Sequence, residues 1–167
     1  MDYDDIHQHL VSPKTLLLIE KDGNVVGMLS YNESLISGKK ALIVEGVAIR
    51  HDFQARGIFS EATNIVLDDS RIVGLRTQNP FMYLALRNYC GKAYPNIHKT
   101  PRTVKLSLDE LASIMNCTID DLGVARKFYG KCMYGQKQHH PEISPLFENV
   151  FKMDIDKGDA VLAAGLK

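Results

Sequence analysis

The sequence predicts an α/β (α+β) domain with a mixed, mostly antiparallel sheet flanked by helices. Three apolar runs separated by short turns follow one another over residues 15–49, which is typical of an antiparallel meander. From residue 58 the apolar residues recur at helical spacing, and helix and strand patterns then alternate. The chain has 167 residues, the length of one ordinary domain, and we expect residues 1–167 to form a single domain.

The three strands of the meander are predicted at residues 15–20, 25–31 and 41–49. Lys21-Asp22-Gly23-Asn24 is a strong hairpin-turn signal between the first two strands. Ser37-Gly38-Lys39-Lys40 is a second turn, before the third strand. Residues 1–14 are short and polar, and we expect them to be peripheral.

The elements that follow the meander alternate between helix and strand. Apolar residues at helical spacing predict an amphipathic helix over residues 58–69, and residues 72–77 form another apolar run, read as a strand. Asn79-Pro80 combines an N-cap with a proline at the first helical position, so a helix is expected from there to about Tyr89. We expect the 72–77 strand to lie parallel to the third strand, because a helix crosses between them.

The pattern after residue 95 is less regular. Ser107-Leu108-Asp109-Glu110 reads as a capping box that opens a short helix to about Met115. A strand is predicted at 128–134, a loop at 135–150 and a last strand at 160–166. Because no linker separates this part, it is assigned to the same domain.

Charge balance argues against partners that are bound by a broad electrostatic field. Lys and Arg number 20 and Asp and Glu also number 20, so the formal net charge is zero. Proteins that coat nucleic acid or membrane surfaces usually carry a basic excess. We therefore expect no nucleic-acid or membrane partner. The Leu108–Leu122 segment resembles the first half of a helix-turn-helix, but Asp120 and Asp121 would repel phosphates.

Cysteine usage and apolar runs indicate a soluble cytoplasmic protein. The 3 cysteines are widely spaced, and no C-x-x-C pair supports a zinc or thioredoxin-like site. The acidic start lacks the apolar stretch of a signal peptide, and no run approaches the roughly 20 residues of a membrane-spanning helix. His139-His140 is read as a solvated loop, so no metal is expected.

The stretch from residue 44 to residue 59 is the most informative part of the chain. It reads as a strand, a loop that contains a glycine, and the start of a helix. The free N–H groups and the dipole of a helix N-terminus bind phosphate readily. Gly57 lets a phosphate approach the backbone closely, and Arg56 adds a positive charge beside it.

Gln54-Ala55-Arg56-Gly57-Ile58-Phe59 resembles the cofactor loop of the GNAT acetyltransferase superfamily. That signature is Arg or Gln, two residues, Gly, one residue, then Gly or Ala, and here it follows the strand end Val47-Ala48-Ile49. Phe59 departs from the small residue at the last position. The resemblance covers about residues 15–95 and implies a GNAT-like fold with an acetyl-CoA-binding core there. Relative to the family, we expect a shortened N-terminal part and a C-terminal elaboration at residues 96–167.

The resemblance implies acetyl-CoA as co-substrate, without a metal. The fourth strand of the family, here residues 41–49, carries a bulge and diverges from its neighbour, and Gly46 is consistent with that bulge. The pyrophosphate would lie on the amides of the loop, and the N–H of Val47 would polarise the thioester carbonyl. The implied cofactor-binding residues are Val47, Ile49, Gln54, Ala55, Arg56, Gly57, Ile58, Phe59, Ser60 and Asn79.

Candidate catalytic groups are Glu45 and Tyr83, together with the Val47 amide. Strand alternation is expected to place Glu45, Val47 and Ile49 on one face, so Glu45 is the candidate base for an acceptor amine. It lies two positions after the usual place in the family, which is Ile43 here, and a partly solvated strand glutamate is the alternative. The family's tyrosine acid would fall at Leu86, so Tyr83 or Tyr89 would substitute, with helix packing as the alternative.

The resulting hypothesis is an N-acetyltransferase that moves the acetyl group to an amine by direct attack in a ternary complex. The acceptor would be a small molecule or a peptide amine, and a homodimer is possible. The alternative is a non-catalytic acyl-CoA-binding or regulatory domain. We expect most of the family's N-terminal helices, which help to shape the acceptor pocket, to be missing. The C-terminal part or a partner subunit would replace them, or the N-terminus is trimmed.

Overall fold

The computed structural model describes residues 11–69 and 71–167, which are built around a seven-stranded sheet. The expectation for residues 1–14 therefore lies largely outside the described residues. The strands are β1 (Thr15–Lys21), β2 (Asn24–Ile36), β3 (Lys39–Ile49), β4 (Ile72–Thr77), β5 (Ala93–Tyr94), β6 (Val124–Ala125) and β7 (Ala160–Leu166). The helices are α1 (Ile58–Val66), α2 (Pro80–Cys90) and α3 (Arg102–Ile114).

The sheet confirms the predicted fold class. Its strand order is β1-β2-β3-β4-β7-β5, and β6 pairs with β7. The first three strands form the antiparallel meander, β4 lies parallel to β3, and β7 pairs antiparallel with β4. The last strand therefore joins the C-terminal part of the chain to the same sheet as the meander.

Helices cover both faces of the sheet. We call the face under α1 and α2 the first face, where Tyr31, Val44 and Leu75 are buried against helical side chains such as Phe59 and Leu86. The second face lies under α3, where a separate set of strand residues packs on Leu108 and Leu111. Gly74 allows α3 to approach β4, because a Cβ there would lie 2.6 Å from Leu111 Cδ2. The C-terminal part thus supplies the helix that covers the second face.

The predicted start of α3 is wrong. The helix begins at Arg102, directly after Pro101, and Ser107 lies inside it, where its Oγ donates to the carbonyl of Thr103. Val104 is buried on the same helical face as Leu108, so the amphipathic period extends one turn upstream of the apparent capping box. The residues after Ile114 form turns instead of a second helix, which removes the helix-turn-helix interpretation.

The strand predicted at 128–134 is also wrong. Lys127 and Gly130 have positive φ angles of 53° and 67°, and this segment consists of turns. The short strand that pairs with β7 lies earlier, at Val124–Ala125. The 135–150 segment is mostly loop, as expected, with a short π-helical turn at Leu146–Val150.

Gly158 fixes the position of the turn at residues 128–131, and its replacement by alanine is expected to destabilise the protein. Its φ is +88°, and a Cβ would overlap the backbone nitrogen of Gly130 and lie 2.7 Å from that of Lys131. Gly135 has a similar φ of +72° but nothing within 4 Å of its Cβ position. We expect Gly135→Ala to cost about 1 kcal/mol from backbone strain. Gly158→Ala should cost about 1–3 kcal/mol more from the clash.

Urea unfolding of the two variants measures this difference in the free energy of unfolding. Equal losses in Gly158→Ala and Gly135→Ala would contradict the close packing of the turn against residue 158.

Candidate functional site

β3 and β4 separate at a bulge in the middle of the sheet. Their pairing runs from Ala41 opposite Ile72 to Val44 opposite Leu75 and ends there. On the other side of β3, the register with β2 shifts so that Glu45 has no partner of its own. The bulge thus lies next to Gly46, and a bulge bends its strand. Residues 45–49 continue without β4 beside them, and we call the space between this segment and the end of β4 the gap.

Backbone groups of β3 point into the gap. The N–H of Arg50 donates to the carbonyl of Val26 at 2.9 Å. Hydrogen-bonded and non-hydrogen-bonded pairs alternate in an antiparallel ladder. In this register Ala48 therefore also bonds to β2, whereas Val47 and Ile49 direct their N–H and C=O groups away from β2. Gln54 Nε2 donates to the Ile49 carbonyl at 2.8 Å, which agrees with this orientation.

An open helix start follows the gap along the chain. Residues 54–57 are exposed, and Gly57, with φ +79°, is the N-cap of α1. No side chain of the described residues caps this helix, so none of them accepts from its first N–H groups, on Ile58, Phe59 and Ser60. The Phe59 side chain is buried edge-on to Tyr89, with ring centroids 6.1 Å apart. A bulky residue at this position therefore points into the core and leaves the loop open.

Residues 50–57 carry two arginines and one aspartate. Arg50 donates to both carboxylate oxygens of Asp52, at 2.7 and 2.6 Å, and these bonds hold the pKa of the Asp52 carboxyl below its usual value. The Arg56 guanidinium lies 5.2 Å from the centroid of the Phe53 ring and makes no ion pair with any residue in 11–69 or 71–167. Arg56 and the start of α1 therefore form a site suited to an anion.

The bulge overturns the expectation that Glu45, Val47 and Ile49 share one face. Glu45 Oε1 accepts a hydrogen bond from Asn32 Nδ2 at 3.1 Å, and Asn32 lies opposite Ile43 on the second face. Val47 lies opposite Leu29 and packs on the first face. The extra residue in β3 shifts the alternation by one position, so Glu45 faces the second side of the sheet.

Tyr83 lies in the core and not at the gap. Its side chain is 0% exposed, and its hydroxyl donates to the carbonyl of Pro95. The Phe147 ring packs edge-on to it with centroids 5.7 Å apart, and burial raises the pKa of the phenol. The substitute, Tyr89, donates to Asn64 Oδ1 on α1 at 2.7 Å. Both tyrosines therefore have packing roles, and the proposed general acid is not supported.

Asn79 lies at the carboxyl end of β4, where its side chain serves the helix. Its Oδ1 accepts from the N–H of Phe81 at 2.9 Å, which confirms the predicted N-cap of α2. Its own N–H donates to Thr77 Oγ1 at 2.9 Å. The side-chain oxygen of Asn79, an implied cofactor-binding residue, is thus already used as a cap.

Sequence reasoning missed Arg76, a half-buried cation at the end of β4. Its guanidinium carbon lies 3.6 Å from the centroid of the Phe128 ring. Nε donates to the Tyr129 hydroxyl at 3.3 Å, and Nη1 donates to the carbonyl of Met115 at 3.0 Å. A charged residue at the carboxyl end of a buried parallel strand was the available signal, because such ends deliver side chains to functional sites in α/β folds.

A separate cleft lies elsewhere. It has a volume of about 440 Å³ and is lined by the loop 95–100, the side chains of Lys105 and Leu122, and Phe151. These residues lie near β5 and β6, at the far end of the sheet from the gap. Within the described parts of the chain, no group of three or more His, Cys, Asp or Glu is arranged to hold a metal ion, and no helix is long and apolar enough to cross a membrane.

Comparisons with known proteins identify similar structures but no sequence family. No protein-family model matches the chain, and no curated protein matches it significantly. It is similar to a GNAT family acetyltransferase from Elizabethkingia anophelis with acetyl-CoA bound, at 17% identity over 99% of this chain and 84% of that chain, with a TM-score of 0.45. It is similar to Arabidopsis thaliana Naa50 in complex with the bisubstrate analogue CoA-Ac-MVNAL, at 10% identity over 100% and 82%, with a TM-score of 0.42.

A third match covers less of both proteins. Ribosomal-protein-alanine N-acetyltransferase from Brucella melitensis biovar Abortus 2308 is 24% identical over 30% of this chain and 38% of that chain, with a TM-score of 0.27. The match thus spans well under half of that chain. These structures include a member of the family that the sequence resembles, but the identities and TM-scores are low. The function must therefore be argued from the residues of this chain.

Proposed function

We propose that the chain binds acetyl-CoA in the gap and transfers its acetyl group to an amine. The observation that carries the proposal is the continuous path from the outward-facing backbone groups of Val47 and Ile49 to the uncapped start of α1. An extended amide-containing ligand can hydrogen-bond to a free strand edge as a further strand would. A pyrophosphate at its end would meet the N–H groups of α1 and the charge of Arg56.

The residues at the gap have separate roles in this proposal. Acetyl-CoA supplies an activated acyl group whose C–S bond breaks as the amine nitrogen forms the new C–N bond. The N–H of Val47 would donate to the carbonyl oxygen as negative charge develops there. Gln54 holds the loop by its bond to the Ile49 carbonyl. Most of the rate would come from holding the two reactants together in the gap.

Glu45 remains the candidate base, now on the second face. An acceptor amine of pKa near 10 is mostly protonated at neutral pH and must lose a proton before it attacks. Glu45 would accept that proton directly or through one water, and the departing thiolate would take up a proton from solvent. Because Glu45 faces the second side of the sheet, the amine would enter the gap from that side.

Binding and turnover of the wild-type protein test the proposal. We expect isothermal calorimetry at low salt to detect CoA binding, and pantetheine and 3′,5′-ADP to bind more weakly as separate fragments. Thiol release from acetyl-CoA should rise when an acceptor amine is added. Absence of CoA binding would refute the proposal. Binding without amine-dependent thiol release for any amine would favour the alternative, a non-catalytic acyl-CoA-binding domain.

A further inference from the structure

Side chains of opposite charge lie on the second face at the mouth of the gap, where β3 and β4 separate. β3 and β4 are parallel and their last pair is Val44 and Leu75, so Glu45 and Arg76 are the next residues along each strand. Arg76 lies opposite Leu162, which is buried on the second face, and Glu45 lies on that face too. No ion pair within 4.0 Å joins them in the described structure. A ligand that enters from this side would pass Glu45 where the pairing of β3 ends and Arg76 near the end of β4.

The Arg76 guanidinium is oriented entirely by neutral groups. The Phe128 ring, the Tyr129 hydroxyl and the Met115 carbonyl hold it, and among residues 11–69 and 71–167 no carboxylate pairs with it. A half-buried charge without a counter-ion is unfavourable unless something compensates it. Nε and Nη1 make these contacts, and within residues 11–69 and 71–167 no acceptor is bonded to Nη2. An oriented guanidinium suits the two oxygens of a carboxylate.

A buried hydroxyl without a partner lies at the Glu45 side of the same mouth. Ser30 is 0% exposed, and its Oγ has no hydrogen-bond partner in the described structure. It lies opposite Gly46, next to the bulge, and shares the second face with Asn32. Buried polar groups are nearly always hydrogen-bonded, so this atom marks a place where a polar ligand group or a water belongs.

We infer that the acceptor is a free amino acid, with its ammonium group at Glu45 and its carboxylate at Arg76. This inference rests on the proposed function and names its substrate class. The anion at Arg76 is not the CoA pyrophosphate, because the start of α1 belongs to the first face and Arg76 to the second. An α-amino acid carries both charges within a few bonds of each other, and it can therefore place its amine in the gap while the carboxylate holds its orientation.

Wild-type protein and a panel of paired acceptors test the inference without any mutation. Thiol release from acetyl-CoA is measured with the twenty amino acids and with the carboxamide of each. We expect the acids to exceed their amides in kcat/KM by about 100-fold, since the amide removes a charge-assisted, two-pronged interaction. Calorimetry with desulfo-CoA present should show the same preference in binding.

Variants of Arg76 test the residue itself. Arg76→Met should reduce the acid-over-amide preference to less than about threefold and leave CoA affinity unchanged, while Arg76→Lys should keep part of the preference because it retains charge without the planar fork. Arg71→Met is the control, since Arg71 is exposed just before the other end of β4.

Three results would overturn the inference while acetyl transfer stands. They are a preference for amides or short peptides over free amino acids, a preference unchanged in Arg76→Met, and turnover of other amines without turnover of any amino acid. Loss of CoA binding in the wild type would instead refute the proposed function.

Discussion

Gly57→Asp is expected to abolish CoA binding, and Gly57→Asn is expected to retain it. A Cβ at residue 57 meets nothing within 4 Å, so either side chain fits without a clash. The φ of +79° is strained for most residues, but Asp and Asn tolerate it best, and the strain is nearly the same for both. Only Asp places a negative charge at the start of α1, where the pyrophosphate would lie.

The size of this effect follows from electrostatics at a partly exposed site. Two like charges about 4 Å apart repel by about 4 kcal/mol at an effective dielectric constant near 20, so affinity should fall at least about 100-fold in Gly57→Asp. Gly57→Asn should bind CoA within about tenfold of wild type. Calorimetry measures both affinities, and thermal unfolding should show that the two variants are equally stable. Equal CoA affinity in the two variants would show that the CoA pyrophosphate does not bind at this loop.

Glu45→Gln is expected to lower turnover by about 100-fold and to leave CoA affinity nearly unchanged. The amide keeps the shape of the side chain and the oxygen that accepts from Asn32, but it cannot take a proton from the acceptor ammonium. Activity of the variant should recover as pH rises towards the pKa of the free amine, because the amine then arrives deprotonated.

Steady-state rates from about pH 6 to pH 10 test the role of Glu45. Glu33→Gln is the matched control, since Glu33 is an exposed glutamate on the neighbouring strand. If Glu45→Gln kept wild-type turnover over the whole range, Glu45 would be a structural residue, and water or the substrate would carry the proton.

Local patterns predicted most of the elements around the site. The meander, β4 and the N-cap at Asn79 depend on short-range signals, namely turn residues, apolar runs and capping, and all of them agree with the structure. The start of α3 was misplaced because a polar four-residue motif resembled a cap, whereas burial of Val104 against the sheet decides where the helix begins.

The side chains of the site were harder to predict because they depend on tertiary structure. Gly46 indicated a bulge, but only the register of β3 with β2 reveals that the bulge turns Glu45 to the second face. Tyr83 was a candidate acid only through the resemblance, and it lies with Leu86 on the buried side of α2, enclosed by Pro95 and Phe147. Arg76 owes its orientation to Phe128 and Met115, which are distant in sequence.

Backbone amide shifts during a titration with CoA test the central claim most directly. In ¹⁵N-labelled protein, we expect CoA to shift the N–H signals of Val47 and Ile49 and those of residues 57–60 at the start of α1. All of these signals should reach their final positions at the same CoA concentration. Residues 95–100, which line the 440 Å³ cleft at the other end of the sheet, should not move. Shifts confined to that cleft, or unchanged signals from Val47 and Ile49 at saturating CoA, would contradict binding in the gap between β3 and β4.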